Sequence, residues 1–375
     1  MRPPVPVSAA VQGPPPALFA RLVAWQRTHG RSHLPWQHTR DPYRVWLSEI
    51  MLQQTQVVTV LGYYERFLAR CPTVADLATA PADEVMALWS GLGYYSRARN
   101  LHACAQQVVA RFGGVFPSTS AELQTLPGIG PSTAAAIAAF CFGERISIMD
   151  GNVKRVLSRA LGFDGDLAQA ANERALSALA QALVPPDANH DDMVAYTQGL
   201  MDLGASLCAR TQPQCLLCPL SADCRALAGG TPDAYPVNTR KLVRRHESWW
   251  LLALRRSDGA VWLERRPPRG IWAGLYCTPV FGDEAGLLAA LAGWGLEAGT
   301  VQWQAARKHS LTHRELRLLP AVLDVVGAPD AGPTEGRWAT PADWSSLGLP
   351  TPVRAWLLEA GPNSTLAPKA HEGTA

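Results

Sequence analysis

The sequence predicts a two-domain protein, an all-α domain followed by a smaller α+β domain. Three observations carry that prediction. The chain has 375 residues, more than one ordinary core accommodates. From about Ala17 to Ala228, apolar residues recur at three- and four-residue intervals, with no βαβ rhythm. Beyond a Gly-, Pro- and Arg-containing stretch, short apolar runs of strand length take over.

The elements follow in chain order. Residues 1–16, MRPPVPVSAAVQGPPP, lack the apolar stretch of a secretory signal and read as a disordered extension. Helices are expected over Pro42–Val57, Ala82–Ser90, Ser96–Phe112, Pro131–Phe142, Asn152–Leu161 and Asp191–Leu207, within a first domain at 17–228. Residues 229–245 run Gly-Gly-Thr-Pro-Asp, then Tyr-Pro, then basic residues, and read as a linker. In the second domain, 246–360, strands are expected over Trp249–Leu254, Ala260–Leu263, Leu275–Val280 and Leu316–Val326. Helices near Glu284–Leu291 and Pro352–Leu358 complete it, and 361–375 reads as a disordered polar tail.

At 47% hydrophobic and 17% charged residues, a soluble globular protein is expected. No apolar run approaches the roughly 18 residues of a membrane span. Without an export signal, a cytoplasmic location is expected. The net charge of +3 says little, but its distribution says more. Between Asn238 and Gly270 stand nine Arg or Lys against three acids. That suits a phosphate backbone, and equally a solvated Arg-rich linker.

Four of eight cysteines, Cys208, Cys215, Cys218 and Cys224, are spaced C-x6-C-x2-C-x5-C. Such a cluster in a chain with no export signal points to a metal site rather than disulfides. Structural zinc usually gathers two short-spaced pairs, and here only Cys215 and Cys218 form one. The unequal spacing therefore favours a [4Fe–4S] cluster while leaving zinc open. Cys71, Cys104, Cys141 and Cys277 sit among apolar neighbours and read as ordinary thiols.

Leu126-Pro127-Gly128-Ile129-Gly130-Pro131-Ser132 joins two helical patterns. Gly128 and Gly130 permit positive φ, and Pro131 suits a first helical turn. The N–H groups of the helix start, around Ser132, can hold a phosphate without reading sequence. Alone, the glycines read as a plain turn. Asp150 follows in Asp150-Gly151-Asn152, where an Asp opening a helix is ordinarily an N-cap. Hairpin, aspartate and cysteine loop together are far more specific than any one of them.

Over nearly its whole length the chain resembles the MutY-type adenine DNA glycosylases of the endonuclease III superfamily. The resemblance rests on Leu34-Pro35-Trp36, the run from Trp46 through Glu49 to Val57, and Gly91-Leu92-Gly93-Tyr94-Tyr95 with Arg97-Ala98-Arg99-Asn100. The hairpin, Asp150-Gly151-Asn152 and the cysteine loop complete it. It implies an all-α helix-hairpin-helix glycosylase domain with an iron–sulfur loop at 208–224, then a Nudix-like domain. It implies a monomeric bacterial enzyme, nucleoid-associated, that acts on double-stranded DNA holding an adenine mispaired with 8-oxoguanine or guanine.

Cutting an N-glycosidic bond needs a protonated leaving base and a stabilised sugar cation, hence two carboxylates kept in different protonation states. Glu49 lies among Val45, Trp46, Leu47 and Ile50, where poor solvation would raise its pKa. A Glu on an amphipathic helix usually faces water, but the resemblance makes it the general acid that protonates adenine N7. Asp150 matches the residue that stabilises the oxocarbenium ion. Bifunctional relatives carry a nucleophilic lysine where Ser132 stands, and no lysine precedes Lys154, so a hydrolytic enzyme without a Schiff base is expected. Gln54 and Tyr94 match residues that enter the duplex beside the lesion. Gln198 falls where the family contacts the flipped adenine. Asn152 and Trp36 are weaker matches; for Gln198 and Trp36, packing or surface roles are equally expected.

Residues Glu264 to Leu275 resemble the opening of a Nudix domain, but the segment after Gly282 lacks the acidic metal-binding helix. Binding rather than hydrolysis is therefore expected of this domain. Its lesion-reading loop would be His309 to His313, with Thr312 and His313 as the reading groups. Many relatives carry Phe and Ser where Leu311 and Thr312 stand. Two alternatives remain at this point. An endonuclease III-type bifunctional glycosylase would lack the second domain and carry Lys in place of Ser132. A non-catalytic iron–sulfur DNA-binding protein would give no reason for Glu49 and Asp150 to coexist.

Overall fold

The structure, a computed structural model, describes residues 17–240, 243–325 and 336–360. The expected disordered ends at 1–16 and 361–375 lie outside the described residues, as do two positions of the linker. No described helix is long and apolar enough to cross a membrane.

Helices dominate up to residue 228. They are α1 (Leu18–His29), α2 (Pro42–Leu52), α3 (Val57–Arg70), α4 (Val74–Thr79), α5 (Ala82–Leu88), α6 (Ser96–Phe112), α7 (Ser120–Leu123), α8 (Pro131–Phe142), α9 (Gly151–Leu161), α10 (Ala170–Ala182), α11 (His190–Ala205) and α12 (Arg225–Ala228). The expected helix over Pro42–Val57 is two helices. It breaks at Gln53, and Gln54 adopts φ +55, a left-handed conformation that cannot continue a right-handed helix.

After the linker the chain forms β1 (Arg245–Arg256), β2 (Val261–Arg265), β3 (Tyr276–Cys277), β4 (Val280–Phe281), α13 (Glu284–Gly293), β5 (Gln302–Trp303), β6 (Arg307–Ser310), β7 (Arg314–Val325), β8 (Gly336–Ala339) and α14 (Thr351–Glu359). The strand expected at Leu275–Val280 is split in two. Pro279 cannot donate to a ladder, and β3 pairs β2 while β4 pairs β1. All eight strands share one sheet, built around β1 and β7. These two run parallel in continuous register from Arg245 opposite Arg314 to Arg256 opposite Val325. Leu251–Leu254 of β1 are buried on both faces, which is why this stretch reads as an unbroken apolar run.

The chain divides into two compact units that do not follow one cut in the sequence. The first takes residues 17–54 and 104–240, the second 55–103 and the described residues from 243 on. The first unit packs α1, α8, α9 and α11 around Leu22, Ala139, Leu157, Tyr196, Leu200 and Leu203. Two glycines on α11 let its neighbours approach. A Cβ at Gly199 would lie 3.1 Å from Leu22 on α1, and one at Gly204 would lie 2.7 Å from the Cβ of Asn152 on α9. Linker residues extend this unit: Val237 O accepts from Leu167 N at 2.9 Å, and Thr239 bonds Asp166.

In the second unit α5, the loop after it and the start of α6 bond to the sheet-containing part. Ser90 Oγ donates to Leu349 O at 3.1 Å and Tyr95 to the same oxygen at 3.3 Å. Asp83 pairs with Arg265, and Arg99 donates to Ala273 O at 2.5 Å. A Cβ at Gly348 would lie 2.9 Å from that of Met86. The core of the sheet's other face gathers Leu252, Leu254, Leu287, Leu291, Ala321 and Leu323.

Candidate active site

Asp41 caps α2, its side chain accepting from Tyr43 N at 2.9 Å, and Pro42 fills the first helical position. The helix then carries Glu49 to a partly buried position among buried Val45, Trp46, Ile50 and Met51. Burial, and secondarily the charge of Asp150, push the Glu49 carboxyl up from 4.5 to about 7. At the end of α2, Gln53 Nε2 donates to Thr133 Oγ1 at 3.3 Å, tying this helix to the start of α8.

Asp150 is the N-cap of α9, and its Oδ1 accepts from Val153 N at 2.7 Å. It thus fills the ordinary capping role and also acts electrostatically on Glu49. Asn152 sits in the first turn, its Oδ1 accepting from Arg155 Nη2 at 2.9 Å.

Between α7 and α8 the hairpin is anchored by buried Leu123, Leu126 and Ile129 and exposes Gly128 and Gly130. Gly128 has φ +76. Gly130 does not need the left-handed region: as N-cap of α8 it is extended at φ −83, ψ 172, and a Cβ there would meet nothing within 4 Å. Ser132 is the second residue of α8 and half-buried. Lys154, the first lysine of the chain, forms an ion pair with Glu173.

Gln198 is buried on α11, and its Nε2 donates to Asp202 Oδ1 at 2.8 Å. Trp36 lies in a short turn and is 8% exposed, so its ring is largely packed. Gln54 is exposed, with the left-handed backbone already noted.

The four clustered cysteines line one pocket together with Val156, Arg159, Ala160, Leu203 and Leu220, and none is in a disulfide. Burial pushes the Cys218 thiol up to about 11, and the neighbouring thiols add to it. Among the described residues, no group of three or more His, Cys, Asp or Glu converges to hold a metal ion. The donor set nevertheless fits a thiolate-bound cluster, since four unpaired thiols share one pocket wall. Two arginines of α9, which the sequence patterns did not single out, hold this loop. Arg159, 2% exposed, donates to Ala209 O at 2.7 Å, Pro232 O at 2.8 Å and Cys208 Sγ at 3.4 Å. Arg155 donates to Cys208 O at 2.9 Å and Gly204 O at 2.7 Å. Their signal was an i, i+4 pair of arginines on the helix that Asp150 opens.

In the second unit, Leu311–His313 turn between β6 and β7, closed by Leu311 N donating to Arg314 O at 2.7 Å. Thr312 Oγ1 meets the Tyr94 hydroxyl at 2.5 Å, and His313 is exposed. Tyr94 is 45% exposed with φ +47. Arg97 supports it: Nη2 donates to Leu92 O at 3.0 Å and Gly93 O at 3.3 Å, and the guanidinium lies over the Tyr94 ring at 5.5 Å. Helix α13 carries Glu284 as its one acid, so the acidic metal-binding helix of a Nudix hydrolase is absent from it.

Comparison with known proteins agrees with this anatomy. The family model of the HhH-GPD superfamily base excision DNA repair proteins matches residues 47–186, and a NUDIX domain model matches 250–359. An adenine DNA glycosylase of Buchnera aphidicola subsp. Baizongia pistaciae is 33% identical over 341 residues, covering 89% of this chain and 94% of the relative. The Mus musculus adenine DNA glycosylase is 36% identical over 82% of this chain and 66% of its own. The structure of a thermostable thymine-DNA glycosylase, 29% identical, aligns with TM-score 0.51 over 57% of this chain and 96% of its own.

Proposed function

The chain belongs to the adenine DNA glycosylase family, and from that premise we propose that it removes adenine paired with 8-oxoguanine by hydrolysis shared between Glu49 and Asp150. One observation carries the mechanism. A carboxyl held near pH 7 by burial stands within the field of a second carboxylate that caps a helix. Such a pair divides into a proton donor and a charge stabiliser.

Glu49, protonated in a good fraction of molecules at neutral pH, donates its proton to N7 of the flipped adenine. The base becomes a better leaving group and the C1′–N9 bond breaks. The Asp150 carboxylate stabilises the positive charge that develops on the sugar. Glu49, now ionised, takes a proton from a water as its oxygen attacks C1′. The products are free adenine and an abasic site. With Ser132 in place of a nucleophilic lysine and Lys154 engaged by Glu173, no imine forms.

Exposed Gly128 and Gly130, with half-buried Ser132 in the first turn of α8, hold a phosphate through backbone N–H groups. Gln54 and Tyr94 serve as wedges: both are exposed, as a side chain that enters the base stack must be. Asn152 keeps the α9 start in shape, Trp36 lines the base pocket from its buried side, and Gln198 reads the adenine edge. Cys208, Cys215, Cys218 and Cys224 hold a [4Fe–4S] cluster. A cluster held by these four thiolates would cross-link the loop, and Arg155 and Arg159 tie that loop to α9, which Asp150 opens.

Thr312 and His313 read 8-oxoguanine. A lesion that differs from guanine by one oxygen and one N–H is told apart by placed hydrogen bonds, each worth about 1–3 kcal/mol. The experiment is single-turnover excision from duplexes with adenine opposite 8-oxoguanine or guanine. Wild type should prefer the former, and Thr312→Ala should lose most of that preference while still excising adenine. An unchanged ratio in Thr312→Ala removes Thr312 from lesion reading.

A further inference from the structure

We propose that Asp202 is a positioning residue that fixes which end of the Gln198 amide meets the base, and thereby selects for the exocyclic amino group of adenine. The inference rests on the reading that Gln198 contacts the flipped base.

The two side chains lie one turn apart on α11 and both are buried, Gln198 at 9% and Asp202 at 2% exposure. A carboxylate only accepts hydrogen bonds, so the amide nitrogen, not the oxygen, must face it. The bond from Gln198 Nε2 to Asp202 Oδ1, 2.8 Å, therefore fixes the amide orientation on chemical grounds. Asp202 is itself held. Arg31, just beyond α1, donates to it from Nε at 2.7 Å and from its backbone N at 2.9 Å. Gly199 packs α11 tightly on α1, so the pair and its anchor keep their register.

With Nε2 committed to Asp202, the Gln198 amide presents Oε1. Among the described residues no donor is recorded for that oxygen. An acceptor here takes a hydrogen bond from the N6 amino group of adenine. It faces the O6 of hypoxanthine acceptor to acceptor, an unfavourable contact. An amide free to turn over would serve both bases, so the discrimination belongs to Asp202 as much as to Gln198.

The test is single-turnover excision of adenine and of hypoxanthine from otherwise identical duplexes opposite 8-oxoguanine, with melting curves for each chain. Asp202→Asn offers Gln198 either a donor or an acceptor, and should narrow the adenine-to-hypoxanthine ratio by about 10-fold or more. Adding Gln198→Glu to it should restore the ratio. The new carboxylate accepts from the new amide at 202 and still shows the base an acceptor. A merely structural Asp202 would lower both rates in parallel, with no recovery of the ratio in the double variant; that result overturns the inference. Gln198→Ala separates the two claims. If it leaves the ratio unchanged, the reading of Gln198 itself fails; if it collapses the ratio while Asp202→Asn does not, only the role of Asp202 falls. Should Asp202→Asn melt too low to assay, a ratio kept in the double variant and lost in Gln198→Ala supports the inference, and one lost in both overturns it.

Discussion

Replacing Glu49 by Gln should abolish excision and, at alkaline pH, make the protein more stable. The carboxyl titrates near pH 7 in the folded protein against 4.5 ordinarily, a difference of about 2.5 pH units. At about 1.4 kcal/mol per unit this is about 3 kcal/mol of penalty for holding Glu49 ionised in its partly buried place. The native state binds the proton more tightly than the unfolded chain. Stability is therefore lost as pH rises from 4.5 through 7, and the whole penalty is present above that. At pH 5 roughly a quarter of it applies, and at pH 8 nearly all of it. The amide never ionises, so the stability of Glu49→Gln relative to wild type should improve by about 2–3 kcal/mol between those two pH values. Urea unfolding followed by tryptophan fluorescence measures this directly. Single-turnover excision by wild type should be flat below about pH 6 and fall tenfold per unit above about 7. A stability difference that is the same at pH 5 and pH 8 would refute the raised pKa, and substantial turnover by Glu49→Gln would remove it from the mechanism.

Asp150→Asn should slow excision about 100- to 1,000-fold through lost charge stabilisation. It should also move the alkaline limb of any residual activity to lower pH, because the Asp150 charge helps to hold Glu49 protonated; an unmoved limb contradicts the pairing. The purified protein should be brown with about four irons per chain, and Cys215→Ser should lose iron and DNA affinity together. One zinc and no sulfide would show the other metal. Ser132→Lys should become trappable to DNA by borohydride where wild type is not, and absence of trapping would mean that this helix start does not face the sugar.

The candidate site residues could be named from the sequence because their signals are local, with Glu49 singled out by the family resemblance. Asp150 beside its glycine, the cysteine spacing and the apolar neighbours of Glu49 each lie within a few residues. Helices with clean periodicity, such as Ser96–Phe112 and Pro131–Phe142, appear with those bounds. What escaped depends on contacts distant in sequence or on single backbone angles. The break at Gln53 follows from one positive φ inside an apolar helical pattern. Gly130 is extended, a conformation its residue type did not require. Strands β5, β6 and β8 are short or charged and take their identity from partners, β6 pairing β7 through Arg-Lys-His-Ser. Arg159 looks like a surface cation on its helix and is buried against the cysteine loop. The bond from Arg31 to Asp202 spans 171 residues, a partnership no periodicity announces.

The discontinuous second unit bears on how the chain is made. Ser90 waits for its carbonyl partner at Leu349, 259 residues later. A ribosome adding about 5–20 residues per second leaves roughly 13 to 52 seconds between the emergence of the two. Throughout that interval the faces of α5 and the following loop that Gly348 and Leu349 will cover are bare on the nascent chain. Residues 55–103 can complete their unit only after the sheet-containing part of the chain has been made. A stall before residue 348 leaves Ser90 and Tyr95 without the Leu349 carbonyl and Met86 without Gly348, even when all the strands have been made.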